Sequence, residues 1–88
     1  MKEKEMERVL KALANRRRLA MVSFLKKKKE ASVGDVAEAL RLSVKATSKH
    51  LNLMRSADIL DREQRSLQMY YSINKDHAKW ASPIIDML

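Results

Sequence analysis

Apolar residues recur at helical spacing over the first two thirds of the chain. The run MERVLKAL places apolar side chains at i, i+3, i+4 and i+7, which predicts an amphipathic first helix. Asn15 can cap a second helix, RRRLAMVSFL, whose apolar positions cover most of its circumference and predict a central location. The next run, KKKKE, is too charged to bury and indicates a loop or a frayed helix end.

Two capping signals divide the middle of the chain into two further helices. Ser32 and Asp35 form the pattern S-x-x-D, which opens a short third helix, VGDVAEAL. After a tight connection, RL, Ser43 caps a fourth helix that we expect to end near Ala57. Two short helices joined by such a turn constitute a helix-turn-helix.

Beyond Leu60 the apolar spacing changes from the helical period to a period of about two, which is typical of strands. The runs DREQ and LQMYYSI therefore predict a β-hairpin, although the turn between them, near residues 64–66, lacks the glycine that hairpins favour. The predicted apolar face of the second strand consists of Leu67, Met69, Tyr71 and Ile73.

The end of the chain predicts one more helix. Asn74 can cap KDHAKWA, and Ser82 and Pro83 then interrupt or restart the helix. Together the elements predict a mainly α fold of the α+β class, a winged helix-turn-helix with about five helices and a two-stranded β-hairpin wing. At 88 residues there is room for a single domain, residues 1–88.

Composition narrows the possible functions. The net charge is +8, from 19 basic and 11 acidic residues, which suits a polyanion: nucleic acid first, an anionic membrane surface second. Cysteine is absent, which excludes disulfides and thiolate metal sites. No apolar run is long enough to span a membrane, and no signal-peptide core is present, so we expect a cytoplasmic protein. We find no catalytic arrangement, and predict neither an enzyme nor a cofactor.

The fourth helix carries the strongest functional signal. Its predicted inward stripe is Thr47, Leu51 and Met54, and a polar stripe lies on another face. Lysine can bond guanine, serine either base type, and asparagine can pair bidentately with adenine. A solvated helix would also be polar outside, but position on the second helix of a helix-turn-helix favours insertion into the major groove. The candidate recognition residues are Ser43, Lys45, Ser48, Lys49, His50 and Asn52.

The hairpin carries basic and polar residues near its tip. Such side chains can contact the sugar-phosphate backbone, which sets position and affinity and not sequence preference. An edge hairpin kept soluble by its charges is the alternative interpretation. The candidate wing residues are Arg62, Arg65, Ser66 and Gln68.

The terminal helices predict a homodimer. Their apolar faces would form exposed patches on a monomer, and such patches are typical of protein interfaces. The candidate interface residues are Met6, Val9, Leu10, Leu13, Trp80, Ile84, Ile85 and Leu88.

Four segments in order, LANRRRLAMVSFL, SVGDVAEALRLS, SKHLNLMRSADIL and MYYSI, resemble the ArsR-type winged-helix repressors. The resemblance implies a homodimer formed by the first and last helices, which binds an inverted-repeat operator and is released by an inducer. His50 matches the histidine of the family's S-x-H-L, and Arg18 matches its arginine, for which we expect a structural role. Arg41 and Ser66 stand where glycine is common, so we expect either a positive φ or a different loop at each.

The chain departs from the family's metal sensors. Those proteins carry ELCVCDL on the third helix, where this chain has EASVGDV, so Ser32 and Gly34 occupy the cysteine positions. Asp76 and His77 lie in the region of a second sensing site, but the later histidine is missing, so we predict no metal site.

Two hypotheses follow. The first is a sequence-specific regulator of transcription, a repressor, that binds double-stranded DNA as a homodimer. The second is a winged helix that binds another protein and has no specific DNA target, because the same fold serves both purposes. The sequence names neither an operator nor an inducer.

Overall fold

The computed structural model describes residues 2–77 and 79–88. Within these residues, five α-helices and three strands make a winged helix-turn-helix, which confirms the predicted fold class. The sheet is antiparallel with the order β1-β3-β2. The elements are α1 (Lys2–Leu13), α2 (Arg16–Lys28), β1 (Glu30–Ser32), α3 (Val33–Leu40), α4 (Val44–Ser56), β2 (Leu60–Arg65), β3 (Gln68–Ile73) and α5 (Ser82–Asp86).

All three predicted caps of the central helices are confirmed. Asn15 Oδ1 accepts hydrogen bonds from the first backbone amides of α2, at 3.0 and 3.1 Å. Ser32 Oγ accepts from the Asp35 amide at 3.1 Å, and Ser43 Oγ accepts from the Ala46 amide at 3.0 Å. Each cap satisfies an amide that a helix start would otherwise leave without a partner.

Helix α2 is central, as its apolar pattern predicts. Met21, Val22 and Leu25 are completely buried. The helix contacts α1, α3, α4, β1 and β3, so the core lies between α2 and the inner face of the sheet. Tyr71 and Leu60 close the core from the sheet side.

A third strand was not predicted. Residues Glu30–Ser32 form β1, which pairs with β3 in the register Glu30 to Ser72 and Ser32 to Tyr70. A strand this short shows no measurable alternation in the sequence. Of the two alternatives predicted for KKKKE, a loop or a helix end, the helix end is found, because α2 continues to Lys28 and ends where Lys29 adopts a positive φ of 76°. Lysine favours helices, and its charge can remain in solvent while the backbone is helical.

The hairpin forms with the register Leu60 to Ile73 and Arg65 to Gln68. The predicted inward position of Leu67 is wrong, because this side chain is 98% exposed in the turn. The chain reverses at Ser66 and Leu67, so regular alternation begins only with β3. Of the two alternatives predicted for Arg41 and Ser66, both residues adopt the positive φ, of 58° each. Asp58 also has a positive φ, of 62°, which was not predicted. Each costs about 1 kcal/mol relative to glycine.

Residues 75–77 and 79–81, within the segment KDHAKWA, do not form the predicted α-helix. Asn74 Oδ1 accepts from the Asp76 amide at 2.8 Å, which makes a turn, and a short 3-10 helix follows at Lys79–Ala81. Helix α5 then begins with Pro83 in its first turn, so the predicted restart is confirmed. Residue 78 lies outside the described residues. In the part of the chain that the structure describes, no helix has the length and apolar character needed to cross a membrane.

Candidate nucleic-acid interface

Helix α4 has one face in the core and one at the surface. Thr47, Leu51 and Met54 are each 0% exposed, so the predicted inward stripe is confirmed. On the other face Lys45 and Lys49 are exposed and Ser48 is half-buried. The buried stripe holds the helix in a constant orientation, and the polar stripe is presented outward.

The two lysines of this outer face are free cations. Within residues 2–77 and 79–88, neither Lys45 nor Lys49 has an ion-pair or side-chain hydrogen-bond partner. Ser43 lies at the start of the same helix, where its hydroxyl is occupied by capping. Both ammonium groups can therefore meet an incoming phosphate or base without giving up a contact within the protein.

Asn52, at the end of the polar stripe, binds the wing. Its Oδ1 accepts hydrogen bonds from the Tyr71 hydroxyl at 2.7 Å and from an Arg62 terminal nitrogen at 2.8 Å. Tyr71 is buried, as its predicted packing role requires, and it also forms a polar link that was not predicted. These bonds connect α4 to the hairpin, so the two candidate DNA-contacting elements are held together.

Arg65 is engaged on the outer face of the sheet. Its guanidinium donates two hydrogen bonds to the Glu30 carboxylate, at 2.7 and 2.8 Å, and one to Glu63 at 2.9 Å. It also lies 4.7 Å from the centre of the Tyr70 ring. The hydrogen bonds from Arg65 hold the pKa of the Glu30 carboxyl below its usual range, and those to Glu30 and Glu63 raise the pKa of Arg65. Arg65, which was predicted to contact phosphate, is thus already bonded to side chains of the protein.

A cleft lies between the wing and the start of α4. It is lined by residues of α3 and β3 together with Val44, Ser48 and Leu67. Ser66 and Gln68, both predicted wing contacts, are exposed at the tip, where Gln64 donates to the Ser66 carbonyl at 3.3 Å. This cleft adjoins the polar face of α4, so the wing tip and the helix can meet the same extended ligand.

His50 points towards α2 and contacts Arg18. A terminal nitrogen of Arg18 lies 3.2 Å from His50 Nδ1, and the same guanidinium donates to the carbonyls of Ala12 and Lys11 at the end of α1. Because arginine can only donate, Nδ1 is the acceptor and the neutral ring carries its proton on Nε2. Burial, followed by the charges of Arg18 and Arg17, lowers the pKa of His50. Arg18 thus has the structural contacts expected of it.

The candidate dimer residues divide between core and surface. Val9, Leu13 and Ile85 are buried within the protomer, so they do not belong to an exposed patch as the spacing suggested. Met6 and Leu10 remain 37% and 44% exposed and line an open groove on α1. Helix packing divides the stripe of α1, because Val9 and Leu13 face the core whereas Met6 and Leu10 face solvent. The other candidates, Trp80, Ile84 and Leu88, are half-buried.

Several hydrogen-bonded pairs at this surface could not be predicted from the sequence. Glu30 lies in β1, which was not predicted, and its distance from Arg65 along the chain gave no reason to pair them. Arg8 donates to the Ser56 carbonyl at 2.9 Å and ties α1 to the end of α4. Among the described residues, no group of three or more His, Asp or Glu side chains is placed to share a metal ion; Asp76 and His77 belong to no such group.

Comparison with known proteins identifies the family. The profile described as "Bacterial regulatory protein, arsR family" matches residues 15–62, from the cap of α2 into β2. The chain is 38% identical over 66 residues to the transcriptional repressor PagR of Bacillus anthracis, covering 75% of this chain and 66% of PagR. It is 32% identical over 71 residues to the transcriptional activator HlyU of Vibrio cholerae, covering 81% of this chain and 65% of HlyU.

Solved structures agree with this assignment. The PagR crystal structure superimposes with a TM-score of 0.82 at 32% identity, covering 99% of this chain and 95% of that one. A Mycobacterium bovis domain, described as a homodimeric winged helix-turn-helix DNA-binding domain, superimposes with a TM-score of 0.81 at 25% identity. That comparison covers 96% of this chain and 74% of the bovis chain.

Proposed function

Because the chain belongs to the arsR family of bacterial regulatory proteins, whose members regulate transcription and are not enzymes, we propose that it is a repressor that binds an inverted repeat as a homodimer. Residues 1–88 act as one winged helix domain. The observation that carries the proposal is the outer face of α4, where Lys45 and Lys49 are exposed and free of protein partners above a completely buried stripe.

In this proposal α4 enters the major groove. Lys45 and Lys49 bond phosphates or guanine acceptors, and Ser48 contacts a base edge between them. Ser43 caps the start of α4 and His50 contacts Arg18 of α2, so these two candidate residues hold the recognition helix in position beside the contact. The wing tip, with Ser66 and Gln68, follows the backbone of the adjacent groove and contributes affinity more than sequence preference.

The homodimer rests on different residues. Met6 and Leu10 are exposed apolar side chains on α1, and Trp80, Ile84 and Leu88 lie half-buried near the end of the chain. A second copy would cover these positions. The bovis domain with a similar fold is described as homodimeric, which supports the same arrangement here. Two symmetry-related copies of α4 would then read half-sites about one helical turn apart.

Repression is proposed because PagR, which is named a repressor, is more similar in sequence than HlyU, which is named an activator. A protein that occupies a promoter can repress by excluding polymerase, without any further contact surface. The proposal does not include an effector molecule for this chain.

The first test is selection of bound fragments from a random duplex pool. We expect an inverted repeat, and a log K that falls with log salt by about 0.9 for each phosphate contacted. Shuffled duplexes of equal length are the control. A protein with no affinity for any duplex at about 50 mM salt would overturn the proposal and favour a winged helix that binds another protein.

The second test concerns the dimer. Leu10→Glu introduces a charge into the exposed apolar groove of α1, whereas Lys4→Gln makes the same change of net charge at an exposed position near the start of that helix. Sedimentation at micromolar concentration should show a dimer for the wild type and for Lys4→Gln, and a monomer for Leu10→Glu. A wild type that sediments as a stable monomer would refute the proposed dimer.

A further inference from the structure

The amide of Asn52 has one possible orientation. Arg62 can only donate hydrogen bonds, so the Asn52 atom 2.8 Å from its guanidinium must be the oxygen. The same oxygen receives the Tyr71 hydroxyl at 2.7 Å. A carbonyl oxygen has two lone pairs, and both are occupied here. The amide nitrogen, Nδ2, has no acceptor within the described residues.

Both donors are held by the sheet. Arg62 and Tyr71 face each other across β2 and β3 as a cross-strand pair. Tyr71 is 2% exposed, so its hydroxyl cannot turn away without disturbing the core. The oxygen of Asn52 is thereby kept on the wing side, while Asn52 itself lies one turn beyond Ser48 and about one turn beyond Lys49 on α4.

We propose that Asn52 is a specificity-determining residue that offers DNA a donor only. This inference rests on the proposed function of α4, and it limits the DNA bases that Asn52 can recognise. The sequence suggested a bidentate contact to adenine, which needs the amide oxygen as well as the nitrogen. With its oxygen occupied, Asn52 offers only the hydrogens of Nδ2, which the keto oxygen of guanine or thymine accepts. Adenine offers Nδ2 only N7, beside an amino group, and cytosine offers only an amino group, so both are disfavoured.

The test compares base preferences of matched variants on the operator that the wild type selects. Asn52→Asp keeps an oxygen for Arg62 and Tyr71 and loses the Nδ2 donor, and Asn52→Ala loses both. At one position in each half-site the wild type should prefer a keto base by about five- to tenfold. Asn52→Ala should reduce that preference to within about twofold, with the other positions unchanged. Asn52→Asp presents a carboxylate oxygen in place of the Nδ2 donor, so it should abolish the preference or move it towards an amino base.

Two further measurements test whether the Nδ2 donor of Asn52 produces the base preference. If the preferred base is guanine, 2-aminopurine removes its O6 and should weaken the wild type but not Asn52→Ala; if it is thymine, cytosine in its place should have the same effect. The double variant Arg62→Ala/Tyr71→Phe releases the oxygen of Asn52, so its preference at this position should move towards adenine. Thermal unfolding verifies that each variant is folded.

The inference is overturned if Asn52→Ala leaves the preference unchanged at every position, or if the wild type prefers adenine at the position that Asn52 controls. In either case the proposed function stands, because the wild type still selects an operator. A wild type that selects no sequence would instead refute the proposed function, and the inference would fall with it.

Discussion

The outer face of α4 and the wing are both basic, yet their cations differ in whether they are hydrogen-bonded to other side chains. Lys45 and Lys49 have no protein partner among the described residues, whereas Arg62 is bonded to Asn52 and Arg65 to Glu30 and Glu63. The sequence predicts all four as DNA contacts, the lysines in the major groove and the arginines at the sugar-phosphate backbone. A sequence motif predicts that a basic side chain lies at the surface, but it does not predict whether that side chain is bonded to another protein group.

The difference has an energetic consequence. A free lysine gains its full interaction with an approaching phosphate, whereas an arginine must first give up its carboxylate or amide partners. Exposed ion pairs are weak, so Arg65 can still change partners. We therefore expect α4 to dominate both affinity and sequence preference, and the wing to position the helix.

The largest expected effect separates the two regions directly. Lys45→Ala/Lys49→Ala should lower operator affinity roughly a hundredfold, since two charge-assisted contacts are lost. Arg62→Ala/Arg65→Ala removes the same charge but should lower affinity by less than about tenfold. The loss should be similar for operator and random duplex, except at the base position that Asn52 controls, because losing Arg62 frees part of its oxygen. Fluorescence titrations on operator and random duplex measure both, with thermal unfolding as the control for folding. Equal losses in the two double variants would contradict the comparison.

Arg18 is a fifth cation, and its contacts lie between helices of the packed protein. Its guanidinium holds the end of α1 and His50 of α4 together, so Arg18→Ala should lower the free energy of unfolding by about 2 kcal/mol. The neighbouring Arg17 is exposed, and Arg17→Ala should change that energy by less than about 0.5 kcal/mol. Urea unfolding of the two variants provides the measurement. Similar values would mean that the contacts of Arg18 contribute little.

Thr47 lies on the buried side of α4. Its hydroxyl is completely buried and has no hydrogen-bond partner among the described residues. Thr47→Val removes this hydroxyl at nearly constant volume, and should raise the free energy of unfolding by about 1 kcal/mol. Thr47→Ser is the matched control, because it keeps the hydroxyl and loses the methyl group, and it should be destabilising. A Thr47→Val protein less stable than the wild type would show that the hydroxyl is satisfied.

The smallest expected effect is a pH dependence from His50. Because folding lowers its pKa below the ordinary 6.5, the unfolded chain takes up a proton first as the pH falls. The free energy of unfolding should therefore be unaffected by His50 above about pH 6.5 and decrease below it. Urea unfolding between about pH 7.5 and pH 5.5 measures this, with His50→Gln as the control that should show a smaller decrease. An equal decrease in His50→Gln would assign the effect to other groups.

The features predicted correctly from the sequence are those set by neighbouring residues. Asn15, Ser32 and Ser43 cap the helices that follow them, and the stripe of α4 was predicted with its correct orientation. A cap acts over two or three residues, and a helical stripe repeats within a few turns. Both patterns are therefore complete within a short stretch of sequence.

The errors occurred where a local pattern competes with distant contacts. The strand β1 exists because β3 offers an edge to pair with, and its three residues carry no alternation of their own. The predicted helix at KDHAKWA gave way to a turn at Asn74 and a restart at Pro83. Leu67 follows the strand pattern in sequence, but the turn displaces it into solvent.

The sequence by itself determined the order of elements, the caps, the buried face of α4 and the surface position of the basic residues. Only the tertiary structure decided which of those cations are free, because Glu30, which accepts two hydrogen bonds from Arg65, and Asn52, which accepts one from Arg62, lie 35 and 10 residues away in the chain. Hydrogen bonds form between groups within about 3 Å, and separation along the sequence does not specify that distance once the chain has folded back on itself.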